Sequence, residues 1–339
     1  MYDFTIIIPA YNMEQYIGKT IESVCKNQLD RVQILVVDDG SKDHTGDLCE
    51  KLLGQYNAPC FQVIRQKNGG VSAARNTGIQ NAGGKYLIFC DGDDFCDDDL
   101  IETLHQIQSP EQDMIMWKYR IQDGSQSVRT QGNYSKNLLT SEEALEGVLL
   151  KQSKIRLGSF AVKKSLITES GIMFTENCSV GEDMEFIYKC LIAAKTVYFL
   201  DDTLFTYVKR TGSAMNRYSL KRFEAPYAMG RVYDFLVEKE IHLNSPELNN
   251  YMQNGLIVLH SMFAFDACIR YLYEFSEARQ FSKEYFEKYQ DLEKLIQKSV
   301  RAMKVLPPVM SKKRIIVFKL SRALYIYLYV YLNRKRTGK

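Results

Sequence analysis

The sequence predicts an α/β fold: an open, mostly parallel sheet with helices on both faces, followed by a helical C-terminal region. Three observations carry this. Short apolar or β-branched runs alternate with helix-period segments through the first hundred or so residues. Four of those runs each end in a polar or glycine-bearing tip. After about residue 218 the strand pattern gives way to helical spacing.

The elements follow in order. Phe4–Ile8 is a β-branched run closed by Pro9, and Gln15–Lys26 has helical spacing with Asn12 as a candidate cap. Val32–Val37 is a near-continuous apolar run, the pattern of a parallel strand buried on both faces. Asp43–Tyr56 reads as helix and Phe61–Arg65 as strand. Val71–Ala82 is a helix of small residues ended by Gly83 and Gly84. Lys85–Phe89 is a fourth strand and Asp97–Ile107 a fourth helix. In a sheet with this alternation, ligands collect beyond the carboxyl ends of the strands. The tips there are Pro9-Ala10-Tyr11-Asn12, Asp38-Asp39-Gly40-Ser41, Gln66-Lys67-Asn68-Gly69-Gly70 and Asp91-Gly92-Asp93-Asp94.

Bulk properties narrow the class. The chain has 339 residues, 45% of them hydrophobic, enough for a large domain with an appendage or for two domains. Nine of its 44 basic residues fall after residue 310, where there is no acid; the other 35 face 41 acidic groups, so an acidic body carries a basic tail. Eight scattered cysteines, with no C-x-x-C pair, read as free thiols of a reducing compartment. No secretory signal pattern opens the sequence, and no run of about 18 apolar residues predicts a spanning helix.

Each tip has a plain reading and a chemical one. Asp91-Gly92-Asp93-Asp94 is either a polar turn with capping aspartates or a carboxylate cluster for a hard cation, Mn2+ or Mg2+, shared with phosphate. Asp38-Asp39-Gly40-Ser41 alone is an ordinary capped turn. Arg75 is either part of a solvated helix face or a fork of donors for phosphate oxygens; Tyr11 either packs or stacks on a base.

Taken together and in this order, Pro9-Ala10-Tyr11-Asn12, Val37-Asp38-Asp39-Gly40-Ser41, Asn68 to Asn76 and Asp91-Gly92-Asp93-Asp94 resemble the family 2 inverting glycosyltransferases of the GT-A fold, with its Rossmann-like sheet. The resemblance is close over residues 4–104 and continues to about residue 215. It implies a nucleotide-sugar donor, UDP-linked by family habit. Pro9 and Tyr11 would lie against the base, Asp39 on its polar edge and Asn68 near base or ribose. Arg75 would approach the nucleotide or diphosphate, Asp91 the ribose, and Asp93 would bind the metal.

Gly181-Glu182-Asp183 reads on its own as an acidic first helical turn. The family carries an E-D pair at this place, which implies Asp183 as catalytic base with Glu182 beside it. The resemblance also extends to Thr206–Ser213, a loop that closes over the diphosphate, with Arg210 and Ser213 as contacts; a histidine that some relatives carry here is missing. The rival readings are a sugar nucleotidyltransferase, whose glycine- and lysine-rich first loop is absent, and a non-catalytic nucleotide- or glycan-binding scaffold. A dinucleotide oxidoreductase would need G-x-G-x-x-G after the first strand.

The predicted organisation is a catalytic domain over residues 1–217, a helical region over 218–306 and a basic amphipathic tail over 311–339, with Pro307-Pro308 as a break. Within the helical region Tyr218–Glu240, Glu247–Tyr273 and Lys283–Met303 have helical spacing. In the tail, the uninterrupted apolar run Ala323–Leu332 is too short to span a bilayer, is flanked by basic residues and is rich in tyrosine. The segment Lys312–Arg336 around it reads as an interfacial helix on the inner face of the cell membrane, and suits a lipid surface better than nucleic acid. The plainer alternative is a terminal helix packed on the protein. The expected setting is cytoplasmic and peripheral to the membrane. A glycan or lipid-linked glycan is the expected acceptor, and the resemblance implies capsule, exopolysaccharide or other surface-glycan synthesis.

Overall fold

The computed structural model describes residues 2–107, 112–124, 126–129, 137–149, 154–210, 218–304 and 312–337. The chain divides into two compact units, Met1–Ser179 with Phe186–Ser213, and Val180–Glu185 with Ala214–Lys339.

The first unit opens with β1 (Tyr2–Ala10), α1 (Ile17–Cys25), β2 (Val32–Asp38), α2 (Thr45–Gln55), β3 (Phe61–Arg65), α3 (Val71–Asn81), β4 (Gly84–Phe89), a two-residue β5 (Phe95–Cys96) and α4 (Leu100–Gln106). The four expected strands and four expected helices are all present. β6 (Met114–Asp123), β7 (Gln126–Arg129), β8 (Leu138–Thr140), α5 (Ser141–Leu149), β9 (Phe160–Lys163), α6 (Lys164–Ser170), α7 (Glu182–Ala193) and β10 (Thr196–Lys209) follow.

One sheet collects all ten strands in the order β3-β2-β1-β4-β9-β6-β10-β5, with β7 on β6 and β8 on β10. β3, β2, β1 and β4 run parallel; β1, β2 and β4 are apolar runs, while β3 is a more exposed strand. β9 enters antiparallel between β4 and β6. The sheet is therefore mixed beyond its fourth strand, and the sequence pattern announces none of these later strands.

Strand alternation sends the two faces of the sheet to different helices. Phe4, Ile6, Ile8, Val32, Ile34 and Val36 share a core with Ile17, Ile21 and Val24 of α1 and Cys49 and Leu53 of α2. Ile7 points the other way, against α3, where a β carbon at Gly78 would lie 2.3 Å from the Ile7 Cγ2. Helix and strand thus approach more closely there than any larger residue allows.

The expected mobile loop Thr206–Ser213 is corrected in its first half. Thr206–Lys209 form the end of β10, with Thr206 opposite both Arg120 of β6 and Phe95 of β5. Arg210 follows directly; Ser213 lies outside the described residues.

The second unit is helical: a 3₁₀ turn at Leu220–Phe223, α8 (Glu224–Glu238), α9 (Pro246–Asn250), a π turn at Tyr251–Gly255, α10 (Leu256–Ile269), α11 (Phe275–Lys288), α12 (Gln290–Ala302), α13 (Lys312–Leu320) and α14 (Arg322–Thr337). Ser245 starts α9, its Oγ accepting from the Leu248 N–H at 3.1 Å, with Pro246 at the first helical position. The expected segment Lys283–Met303 is two helices that meet at Tyr289.

Phe223, Phe265, Phe281, Tyr285, Ile296 and Phe318 form the heart of this unit's core. Tyr325, Ile326 and Val330 of α14 are buried in the same core. The tail is therefore two helices packed by their inner sides, not one helix lying free. Arg314 pairs with Asp266 and donates to the Tyr325 hydroxyl at 2.7 Å, and buried Arg322 is held on Glu293 at 2.7 Å. The expected break at Pro307-Pro308 lies outside the described residues. None of the eight cysteines is in a disulfide, and among the described residues no helix is long and apolar enough to cross a membrane.

Candidate active site

The strand tips of the first unit are knitted to one another before any ligand arrives. Asn12, in left-handed conformation (φ 52°), donates its N–H to Ser41 Oγ at 3.0 Å. Its side-chain oxygen accepts from the Lys42 N–H at 2.8 Å. That is why an Asn, which tolerates this backbone, ends the first tip. Met13 donates to Thr45 Oγ1 at 2.8 Å, so the first and second tips move as one.

Asp39 joins the second tip to the third. Its buried carboxylate accepts from Gln66 Nε2 at 2.7 Å, the Gly69 N–H at 2.9 Å and the Gly70 N–H at 2.8 Å. Asn68 Nδ2 donates to the Asp39 carbonyl at 2.9 Å. Gly40 makes this approach possible: its φ is +72°, and a β carbon there would lie 2.9 Å from the Asn68 nitrogen. Asp39→Asn replaces one acceptor oxygen by a donor facing those N–H groups. It should cost about 1–3 kcal/mol of stability, read from urea denaturation.

The fourth tip is held from behind. Arg75, on α3, is almost fully buried, and its Nη2 donates to both Asp91 carboxylate oxygens, at 2.8 and 3.1 Å. Its guanidinium also lies over Phe174, 5.2 Å from the ring centre. Asp94 is buried and accepts from the Val208 N–H of β10 at 2.9 Å. Burial, with the charge of Asp91 beside it, pushes the Asp94 carboxyl well above the ordinary carboxylate range. Asp94 thereby fixes the acidic turn to the strand that ends next to Arg210.

A cavity of about 480 Å³ lies between these tips, within the range that holds a nucleotide-sized ligand. Pro9, Tyr11, Asp39, Asn68, Asp91, Asp93 and Arg210, all anticipated, line it together. Arg75 does not line it and reaches it through Asp91. Met13, Gly70, Val71 and Ala74 complete the walls; nothing in their residue types marks them in advance. Tyr11 is 42% exposed, so its ring is open to stacking. Arg210 forms an ion pair with Asp93 and sits 4.2 Å above the Tyr16 ring, a contact the sequence does not announce.

The donor set tests the fit of a divalent cation. Asp91 and Asp93 present oxygen only, the chemistry of Mn2+ or Mg2+ rather than of softer ions. Among the described residues no group of three or more His, Cys, Asp or Glu side chains converges on one point. The residues fit an ion that takes one or two carboxylates here and its remaining oxygens from phosphate and water.

Glu182 and Asp183 belong to the second unit, where they open α7. Asp183 Oδ1 accepts from the Met184 N–H at 2.8 Å. The acids of this first turn, Glu182, Asp183 and Glu185, lie at the positive end of the helix dipole. Gly181 precedes them with φ +96°, and a β carbon there would meet the Ala225 backbone of α8 at 2.9 Å. Buried Glu185 is gripped by Arg231, from Nε at 3.0 Å and Nη2 at 2.6 Å, which ties the start of α7 to α8.

Comparison with known proteins agrees with this geometry. The family model described as glycosyl transferase family 2 matches residues 5–169. Glycosyltransferase GlyG of Streptococcus pneumoniae serotype 4 (strain ATCC BAA-334 / TIGR4) is 28% identical over 227 residues, 62% of this chain and 72% of GlyG. The uncharacterized glycosyltransferase EpsJ of Bacillus subtilis (strain 168) is 26% identical over 242 residues, 68% of this chain and 70% of EpsJ. The crystal structure of S. aureus TarS 1-349 in complex with UDP-GlcNAc shares the fold, with a TM-score of 0.72 at 19% identity, covering 99% of this chain and 92% of that one. The glycosyl transferase family 2 model thus covers the stretch that carries the first four strand tips, just under half of this chain, and the mixed sheet around the acid-walled cavity shares the GT-A fold.

Proposed function

We propose that this chain is a metal-dependent glycosyltransferase that moves a hexosyl or N-acetylhexosaminyl group from a UDP-sugar to an acceptor hydroxyl, with inversion at the anomeric carbon. The acceptor is a glycan or lipid-linked glycan at the inner face of the cell membrane, in surface-polysaccharide synthesis. The observation that carries the donor half is the cavity itself: seven residues from four strand tips and the end of β10 line one 480 Å³ space. The UDP-GlcNAc bound to TarS and the glycosyltransferase relatives support the choice of a UDP-sugar.

Tyr11 and Pro9 hold the faces of the base. Asp39 already accepts three N–H groups; a carboxylate has about four acceptor sites, which leaves it one for a base N–H. Its larger contribution is to hold the Asn68–Gly70 loop in position. Asp91, fixed by Arg75, accepts from the ribose hydroxyls. Asp93 would hold the cation, which when bound offsets charge on the diphosphate as the sugar departs. Arg210, released from Asp93, turns its donors to the same diphosphate. Asp183 takes the proton of the acceptor hydroxyl as that oxygen attacks the anomeric carbon from the side opposite the leaving nucleoside diphosphate. One displacement converts an α-linked donor into a β-linked product.

Thermal melts with a panel of nucleotide sugars, with and without Mn2+, test the donor reading. A UDP-sugar at 100 times its Kd should stabilise the protein by about 2.7 kcal/mol. Mn2+ should enhance this in the native chain and not in Asp93→Asn. A shift of equal size with and without Mn2+ would remove the metal from the proposal. Binding without transfer to any acceptor would favour a non-catalytic scaffold.

A further inference from the structure

The two terminal helices bury only one side. Ile315, Phe318, Tyr325, Ile326 and Val330 enter the core of the helical unit. The opposite side is apolar as well. Ile316 and Leu320 of α13 are 55% and 74% exposed, and Leu324, Leu328, Tyr331 and Leu332 of α14 are also exposed. Their spacing, 316, 320, 324, 328 and then 331 and 332, keeps each set on one side of its helix. Leu320 stands at the junction of the two helices, next to Ser321, which belongs to neither. A groove of about 280 Å³ has Val317, Leu328 and Leu332 among its walls beside Lys313 and Arg314.

Packing does not explain this outer side, because the inner side already anchors both helices. Each anchor is specific: Arg314 on Asp266 in α10, and Arg322 on Glu293 in α12. The outer side is thus held outward. Residues 311–339 carry nine cations and no anion; Arg314, Arg322 and Arg334 are held on Asp266, Glu293 and Glu274, while Lys313 and Lys335, at opposite ends of the pair, are exposed and offer their charge outward. That charge selects the occupant. A second copy of this chain docking through the same patch would bring two such cationic surfaces together. An anionic bilayer supplies the opposite charge, takes the leucines at its acyl boundary, and leaves the lysine ammonium groups among its headgroups.

We infer that the outer side of α13 and α14, centred on Leu320 and Leu324, is a docking surface for an anionic lipid bilayer. The pair acts as a preformed wedge, rigidly mounted on the helical unit, rather than as a tail that folds on contact. The inference rests on the proposed membrane-face location only in its choice of lipid as partner.

Vesicle flotation of the full chain tests it, with vesicles of phosphatidylglycerol and phosphatidylcholine against phosphatidylcholine alone. The native chain should float with the anionic vesicles and release at high salt. Leu320→Glu with Leu324→Glu should lower the partition coefficient at least about tenfold, with an unchanged melting temperature because both positions are exposed. Val237→Glu, at an exposed apolar residue elsewhere in the same unit, should float as the native chain does. Flotation of the double variant equal to the native chain overturns the inference. So does failure of the native chain to bind either vesicle, or a native dimer in solution that the double variant dissociates. Donor turnover in detergent-free solution is read in parallel: its absence from the native chain counts against the transferase reading, while its persistence in a double variant that no longer floats separates the two.

Discussion

Asp183→Asn should bind the nucleotide sugar as the native protein does and lose about 10²–10⁴-fold in kcat. The exchange keeps the side chain's shape and an oxygen that can accept from the Met184 N–H, the contact Asp183 makes at 2.8 Å. What disappears is the capacity to take a proton. A loss confined to kcat, with the donor Kd unchanged, is the signature of a group that acts in the transition state. A variant that turns over within a few-fold of the native enzyme would remove Asp183 from the role of base and direct attention to Glu182. Acid at the start of α7 has a structural use too, through the helix dipole. Asn keeps capping ability, so stability should move little while turnover collapses.

The largest stability effect is expected at Glu293. Its carboxylate takes two bonds from Arg322, at 2.9 and 2.7 Å, one from Gln297 Nε2 at 2.9 Å and one from the Tyr285 hydroxyl at 3.1 Å. Burial, with Glu293 next to it, pushes the Tyr285 hydroxyl far up, so it remains a proton donor. Glu293 and Arg322 are both largely buried. Glu293→Ala leaves the guanidinium charge in the core with only the Phe318 carbonyl, at 2.6 Å, as acceptor. The expected cost is about 3–5 kcal/mol, read as a lower urea midpoint for the helical unit. Glu293→Leu combined with Arg322→Met should recover most of that loss, because removing both charges also removes their desolvation. A double variant as unstable as the single one would mean that shape rather than charge governs the site.

The sequence displays one part of this molecule far better than the other. β1, β2 and β4 are apolar runs and the turns between elements are short, so period and punctuation are unmistakable; the run Val32–Val37 becomes the strand Val32–Asp38. β9 is only four residues long, Phe160–Lys163, and lies antiparallel between strands far away in the chain. No local pattern encodes that pairing. The end of β10 is expected as a loop only from the family resemblance, yet Thr206–Lys209 pair with β5 and β6. The cavity residues are legible because each tip carries a distinctive residue type. Arg75 is legible as important, but what it does is not. A buried guanidinium clasping Asp91 and an exposed one awaiting phosphate have the same letter. The apolar and basic character of the tail is plain from its residues, but nothing in them signals that Asp266 and Glu293 wait for Arg314 and Arg322.

The ion pair between Arg210 and Asp93 carries a consequence for the order of events. It gives the resting pocket its own counter-ion, a placeholder cation on the carboxylate proposed for a divalent ion. An ion arriving alone must evict the guanidinium and leave it beside a second positive charge. An ion arriving with a diphosphate brings the evicted arginine a new anionic partner. Eviction is then far less costly, and by reciprocity each of the two entrants tightens the other. In the proposed enzyme the latch would thereby couple the entry of the ion to that of the donor.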